Sequence, residues 1–277
     1  MKILKTKSEL HQWQTAQPNK SIGLVPTMGA LHEGHLSLVR ASKKECQKTV
    51  VSIFINKLQF GPNEDFNQYP RSIEQDVALL KNEKIDVLFM PDQTEIYPDI
   101  LSFQINETII SKKLEGASRP NFFSGVIMVV LKLFNLIQPS VAYFGEKDIQ
   151  QLYIIKKMIA DFDFPISLRS CPTIREKNGL AMSSRNRYLS ESQKTEASVL
   201  YKALKKGEIL IKEKKSINAI KEQLQNMIIK KNMRVDYIAI VDINTFDEVN
   251  NCNMRPIVIA GAIYCQKIRL IDNIIIK

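Results

Sequence analysis

The amino-acid sequence predicts an α/β fold, parallel strands flanked by helices, followed by a smaller C-terminal α+β domain. Three observations carry this expectation. Short apolar runs without alternation, such as residues 49–55, read as strands buried on both faces. Segments with helical spacing separate these runs, the alternation expected of a parallel sheet. Two stretches, 26–36 and 145–151, pass from a strand straight into a helix and carry histidine, lysine, aspartate and glutamine.

Thr6 and Glu9 have the spacing of a capping box, which predicts a helix to about residue 16. A short buried strand follows over 21–25, stopped by Pro26, and Leu36, Val39 and Arg40 begin an amphipathic helix. Beyond the strand at 49–55, residues 56–71 form a long polar loop leaving its carboxyl end. Ser72 with Gln75 caps a helix to 82, and 87–90 reads as another strand. A buried helix at 126–137, a strand at 141–144, a helix capped by Asp148 and Gln151 and a last strand at 166–171 complete the larger domain. After a linker at 172–176, helices near 190–206 and 216–231 and strands near 235–241, 257–264 and 268–276 make the α+β domain. The expected domains are 1–175 and 176–277.

Composition narrows the class. A chain of 277 residues with 44% hydrophobic content buries a sizeable core. The longest apolar run, 126–131, stops at Lys132, far short of a bilayer span, and no signal peptide is visible. A soluble cytoplasmic protein without membrane association is expected. Cys46, Cys171, Cys252 and Cys265 show no paired spacing, which suits buried thiols in a reducing compartment. The net charge of +10 is spread along the chain, with no stacking platform or recognition motif for nucleic acid, and reads as a solvated face; anionic substrates would also profit from the positive field.

The stretch Pro26-Thr27-Met28-Gly29-Ala30-Leu31-His32-Glu33-Gly34-His35-Leu36 organises the rest. A strand-to-helix turn offers backbone N–H groups and the positive end of a helix dipole, an anion site suited to a nucleotide phosphate. Its two imidazoles, three residues apart, can donate to phosphate oxygens as their charge grows. Spacing of three, interrupted by Gly34, does not suit a zinc helix, and no metal site is expected in the chain. In the long loop, Asn56, Gln59, Phe60 and Tyr69 supply neutral hydrogen-bonding groups and aromatic walls suited to a small hydroxy acid. In the second turn, Lys147 can meet a phosphate and Asp148 a ribose hydroxyl. Ser183, Ser184 and Arg185 suit triphosphate oxygens.

His32-x-Gly34-His35 resembles the signature of the nucleotidyltransferase superfamily. With Gln59-Phe60-Gly61-Pro62-Asn63-Glu64-Asp65, Phe144-Gly145-Glu146-Lys147-Asp148 and Met182-Ser183-Ser184-Arg185-Asn186, the chain resembles the pantothenate synthetase (pantoate–β-alanine ligase) family. The resemblance implies a Rossmann-like ATP- and pantoate-binding domain with a C-terminal lid. It also implies ATP-dependent joining of pantoate to β-alanine through pantoyl adenylate, with Mg2+ accompanying ATP, in a homodimer. Met28, Gly29, Ala30, Leu31, His32, Glu33, Gly34 and His35 would line the ATP site. Gly145, Glu146, Lys147, Asp148, Ile174, Met182, Ser183, Ser184 and Arg185 would join them. His35, His32 and Lys147 would be catalytic, His35 as proton donor, and Gln59, Gln151 and Asn56 would bind pantoate. An adenylyl- or cytidylyltransferase of the same superfamily is the alternative, but it has no reason to carry Gln59 and Gln151 in these contexts. Lys57, Phe122 and Asn178 depart from the family pattern, in which proline, histidine and aspartate are common; these bear on substrate affinity.

Overall fold

The computed structural model describes residues 1–62, 64–253 and 256–277, so Asn63 of the long loop lies outside the described residues. The expected alternation is present in order, with Lys2–Leu4, Gln93–Ile96 and Leu114–Ser118 added to the elements read from the sequence. It runs β1 (Lys2–Leu4), α1 (Lys7–Thr15), β2 (Ile22–Thr27), α2 (Glu33–Glu45), β3 (Lys48–Ile53), α3 (Ile73–Asn82), β4 (Val87–Phe89) and a one-turn α4 (Gln93–Ile96). Then come α5 (Leu114–Ser118), α6 (Phe122–Ile137), β5 (Val141–Gly145), α7 (Ile149–Asp161) and β6 (Ser167–Cys171). The C-terminal part holds α8 (Glu191–Ala197), α9 (Val199–Lys212), α10 (Ile217–Ile229), β7 (Arg234–Asp242), β8 (Ile257–Cys265) and β9 (Ile268–Ile276). Two compact units result: Met1–Glu107 with Arg119–Glu146 and Gln151–Pro172, and Thr173–Lys277 with Thr108–Ser118 and Lys147–Gln150.

The first unit is built on a parallel six-stranded sheet ordered β1-β4-β3-β2-β5-β6. From β2 the chain moves outward through β3 and β4, then returns to the other side of β2 with β5. The carboxyl ends of β2 and β5 therefore flank a topological switch point, where ligands of open α/β sheets bind. Helix α6 is buried over most of its length, including all of residues 125–130, which explains the apolar run there.

Two local expectations are corrected. Pro26 does not end β2; the strand continues to Thr27, paired with β3 throughout. Strand β5 pairs only with Gly23 and Leu24, so past Leu24 that edge of β2 needs no ladder donor and a proline is tolerated. Ser72 does not cap α3 with its side chain; its hydroxyl donates instead to Asp76, one turn on. The Thr6–Glu9 capping box forms as expected. The helix expected near 190–206 is two, because α8 ends at Ala197 and α9 starts at Val199 and runs on to Lys212.

In the second unit β7, β8 and β9 form an antiparallel sheet sharing an apolar core with α9 and α10. Two outlying segments are tied to it by buried polar groups. Glu115 on α5 accepts from Tyr237 Oη at 2.8 Å and from both terminal nitrogens of Arg269 at 2.6 and 2.8 Å. Arg269 also donates to Asp236. Gln150 donates to the carbonyls of Ile110 and Lys113 and accepts from Glu115 N–H, which draws residues 147–150 into this unit. Burial opposes the charge of Arg269, but Glu115 and Asp236 more than offset it and hold the guanidinium protonated. Burial and Glu115 raise the Tyr237 phenol well above its ordinary value.

Removing Glu115 leaves the buried Arg269 with Asp236 alone and takes the acceptor from the Tyr237 hydroxyl. Glu115→Ala should lower the unfolding free energy by about 3–5 kcal/mol. Lys157→Ala, which breaks the exposed Lys157–Asp161 pair, should leave it unchanged within error. Urea denaturation of both variants measures the difference, and equal midpoints would remove the buried network from the account.

Candidate active site

The turn between β2 and α2 is locked from within the protein. Thr27 Oγ1 donates to the Ser52 carbonyl at 2.8 Å and accepts from Gly29 N–H at 3.2 Å. Gly29 and Ala30 have φ of 81° and 50°, the left-handed region. A Cβ on Gly29 would lie 3.1 Å from Asp76 Oδ2, so glycine serves both conformation and space. The N–H groups of Ala30 and Leu31 each donate to one oxygen of Asp76, both at 2.8 Å. Asp76 is 1% exposed and lies in the first turn of α3, where the helix dipole favours a carboxylate.

His32 is the N-cap of α2: its Nδ1 accepts from Gly34 N–H at 3.1 Å, while its carbonyl receives His35 and Leu36 N–H. With Nδ1 as acceptor, the neutral ring carries its proton on Nε2, the donor form a phosphate oxygen requires. The two imidazoles lie side by side with centroids 4.1 Å apart. The expectation of open backbone donors along the turn is therefore corrected. Gly29, Ala30, Leu31, Gly34, His35 and Leu36 have their N–H groups bonded within the protein, because a turn this enclosed cannot leave donors unmet.

The expected pantoate residues follow β3. Asn56 is fully buried and uses all its capacity internally. Its Nδ2 donates to Gln59 Oε1 at 3.1 Å and the Gly125 carbonyl at 2.9 Å; its Oδ1 accepts from Leu58 N–H and from Tyr97 Oη. That fixes the Gln59 amide with Nε2 donating to Met28 Sδ at 3.0 Å. Gly125 on α6 lets the 3-10 turn Lys57–Gln59 lie against the helix, since a Cβ there would meet Leu58 O at 2.3 Å. Arg119 holds the other side, with both its Nε and Nη2 on the Glu64 carboxylate, Nη2 also on the Gln59 carbonyl, and its guanidinium 3.7 Å above the Phe122 ring. Phe60 packs edge-on against Phe66 and Tyr69. Two of the three departures find a place here: Phe122 supports Arg119, and Lys57 is exposed on the turn.

In the second unit, Asn273 Nδ2 donates to the Lys147 carbonyl at 2.9 Å, and Lys147 Nζ lies 3.5 Å from Asp148. Residues 174–182 form a tight hairpin in which Met182 N–H bonds Ile174 O at 3.0 Å, bringing those two expected residues together. Asn178, the third departure, accepts from Leu180 N–H, a bond its amide oxygen makes as an aspartate would. Arg175 stacks 3.8 Å over Tyr201 and binds both oxygens of Asp272. Burial raises the Asp272 pKa, against the pull of Arg175, the Asn273 N–H and Lys147. Ser183 caps the 3-10 turn Ser184–Tyr188 through Arg185 N–H. Gln151 is half-buried at the start of α7 in the first unit. Asp76, Gly125 and Arg119 escaped sequence reasoning, because each acts through contacts distant in the chain.

A parallel sheet with a locked paired-histidine turn at its switch point defines a nucleotide-binding α/β protein of the His-x-Gly-His type. Residues 2–275 match the family model described as pantoate-beta-alanine ligase, and the chain belongs to that family. It is 45% identical over 279 residues to the pantothenate synthetase of Thermosipho africanus, covering 100% of each chain. It is 47% identical over 284 residues to that of Syntrophomonas wolfei, again covering 100% of each. Among solved structures, pantothenate synthetase from Thermus thermophilus superposes with a TM-score of 0.93 at 40% identity, covering 99% of both chains. Pantoate-beta-alanine ligase from Francisella tularensis, complexed with beta-gamma ATP and beta-alanine, gives a TM-score of 0.85 at 37% identity, covering 99% of this chain and 97% of that one. No helix among the described residues is long and apolar enough to cross a membrane.

Gly125→Ala tests the packing around Gln59. The added methyl must displace the backbone at Leu58 and Gln59, which should cost about 1–3 kcal/mol of stability in urea denaturation. A variant as stable as the parent would show that the turn is not held against α6.

Proposed function

We propose that the chain condenses pantoate with β-alanine in two steps, using ATP bound with Mg2+ as a substrate. A pantoate carboxylate oxygen attacks the α-phosphorus; the bond to the bridging oxygen breaks and pyrophosphate leaves. The neutral amine of β-alanine then attacks the acyl carbon of pantoyl adenylate, AMP departs with the bonding electrons, and the nitrogen loses a proton. The observation that carries this reading is the paired-imidazole turn at the switch point of a chain matched along nearly its whole length by one family.

No covalent bond to the protein is required, so positioning and charge stabilisation do the catalysis. His32 and His35 donate to the α-phosphate region from a turn already held by Asp76, and Lys147 offsets charge on the leaving phosphates. Met28, Gly29, Ala30, Leu31, Glu33 and Gly34 shape the nucleotide site in the first unit with Gly145 and Glu146. In the second unit Asp148 meets ribose hydroxyls, and Ile174, Met182, Ser183, Ser184 and Arg185 serve the nucleotide and its phosphates. Gln59 and Gln151 bind pantoate, whereas Asn56 acts through Gln59, since its own donors and acceptors are engaged. The same proposal takes 176–277 as a lid on the 1–175 nucleotide domain, and includes a homodimer in the cytoplasm.

Because adenylation precedes amine attack, labelled pyrophosphate should exchange into ATP with pantoate present and β-alanine absent. His35→Ala should slow this exchange by about 10²–10³-fold without unfolding the protein, the loss typical of a single donor to developing charge. Absence of exchange in the parent protein would remove the adenylate from the proposal.

A further inference from the structure

We propose that Asn186 is a positioning residue whose amide, clasped to Glu176 and to the Ala181 carbonyl, sets the geometry of residues 182–185 toward ATP. The inference rests on reading those residues as phosphate-facing. Asn186 is 5% exposed. Its Nδ2 donates to Glu176 Oε1 at 2.7 Å and to Ala181 O at 3.1 Å, which uses both amide protons. Its backbone N–H donates to Ser183 O at 3.0 Å. Residues 182–185 are thereby a closed loop: the chain leaves at Ala181 and is fastened back there by the side chain that ends it.

The clasp also joins the two arms of the preceding hairpin, Glu176 on one and Ala181 on the other. Glu176 is fixed in turn, its N–H bonding Leu180 O at 2.8 Å and its carbonyl accepting Gly179 N–H at 2.9 Å. At Gly179, φ is 95° and a Cβ would lie 2.7 Å from the Tyr201 ring, so the hairpin has one conformation to offer. Only an amide suits position 186. An aspartate would set acceptors against two acceptors, and an apolar residue would leave the Glu176 carboxylate without its partner. Asn186 Oδ1 is buried with no hydrogen-bond partner among the described residues. The amide is therefore retained for its two donors.

A residue that aims a phosphate-binding loop affects one substrate and not the other. Asn186→Asp, equal in shape but lacking the donors, should raise the KM for ATP about tenfold or more while the KM for pantoate stays within about twofold. Glu176→Gln keeps the accepting oxygen and should stay within about threefold of the parent in both. Arg185→Ala is the control for the underlying reading, with pyrophosphate release as the assay and circular dichroism to confirm folding. Should Asn186→Asp not fold, Glu176→Ala removes one partner alone and is judged by the same split. Loss with Arg185→Ala but a parental ATP KM in Asn186→Asp overturns the clasp and leaves the reading standing. Parental activity in Arg185→Ala overturns the reading, and equal rises in both KM values assign Asn186 to general folding instead.

Discussion

The carboxylate of Asp76 governs the proposed chemistry of the first unit, although it is not expected to touch any substrate. Each of its oxygens holds one N–H of a turn whose backbone, at Gly29 and Ala30, lies in the left-handed region. For alanine that conformation costs of order 1 kcal/mol, and it persists only where surrounding bonds over-determine it. Charge-assisted hydrogen bonds from two amides and the Ser72 hydroxyl supply that constraint. The turn then delivers His32 to the N-cap position and His35 to the first helical turn with their rings side by side. A histidine pair on a loosely held loop would have to be ordered by the nucleotide, which would weaken the nucleotide's affinity.

The same arrangement recurs around Gln59. Its amide orientation follows from Asn56, its backbone from the absence of a side chain at Gly125, and its carbonyl from Arg119 over Phe122. Asn56, which looks like a substrate ligand in the sequence, is thus spent on holding Gln59.

Periodicity made every strand but the three-residue β1 and most helices legible, because burial on both faces of a parallel sheet leaves unbroken apolar runs. The Thr6–Glu9 cap was legible for a local reason: both its bonds span three residues. Pro26 misled because proline is read as a breaker, while the sheet offered it an edge where no donor was needed. Ser72 misled because a tertiary partner, Asp76, outcompeted the local cap. The histidine turn was visible as a pair of imidazoles, yet its N–H groups were not: Asp76 lies 46 residues from Ala30 in sequence. Arg175 and Asp272 are 97 residues apart and carry no local signal at all. Long-range polar partners of this kind are invisible to spacing, and here they hold the residues that spacing identified.

The bonds from Asp76 and Thr27 form the histidine turn without a nucleotide. Amide hydrogen exchange at Ala30 and Leu31, resolved in the ligand-free protein and again with an ATP analogue, tests it directly. Both amides should be strongly protected without ligand and change little on binding. Rapid exchange of both in the ligand-free protein, with protection appearing only on nucleotide addition, would contradict it.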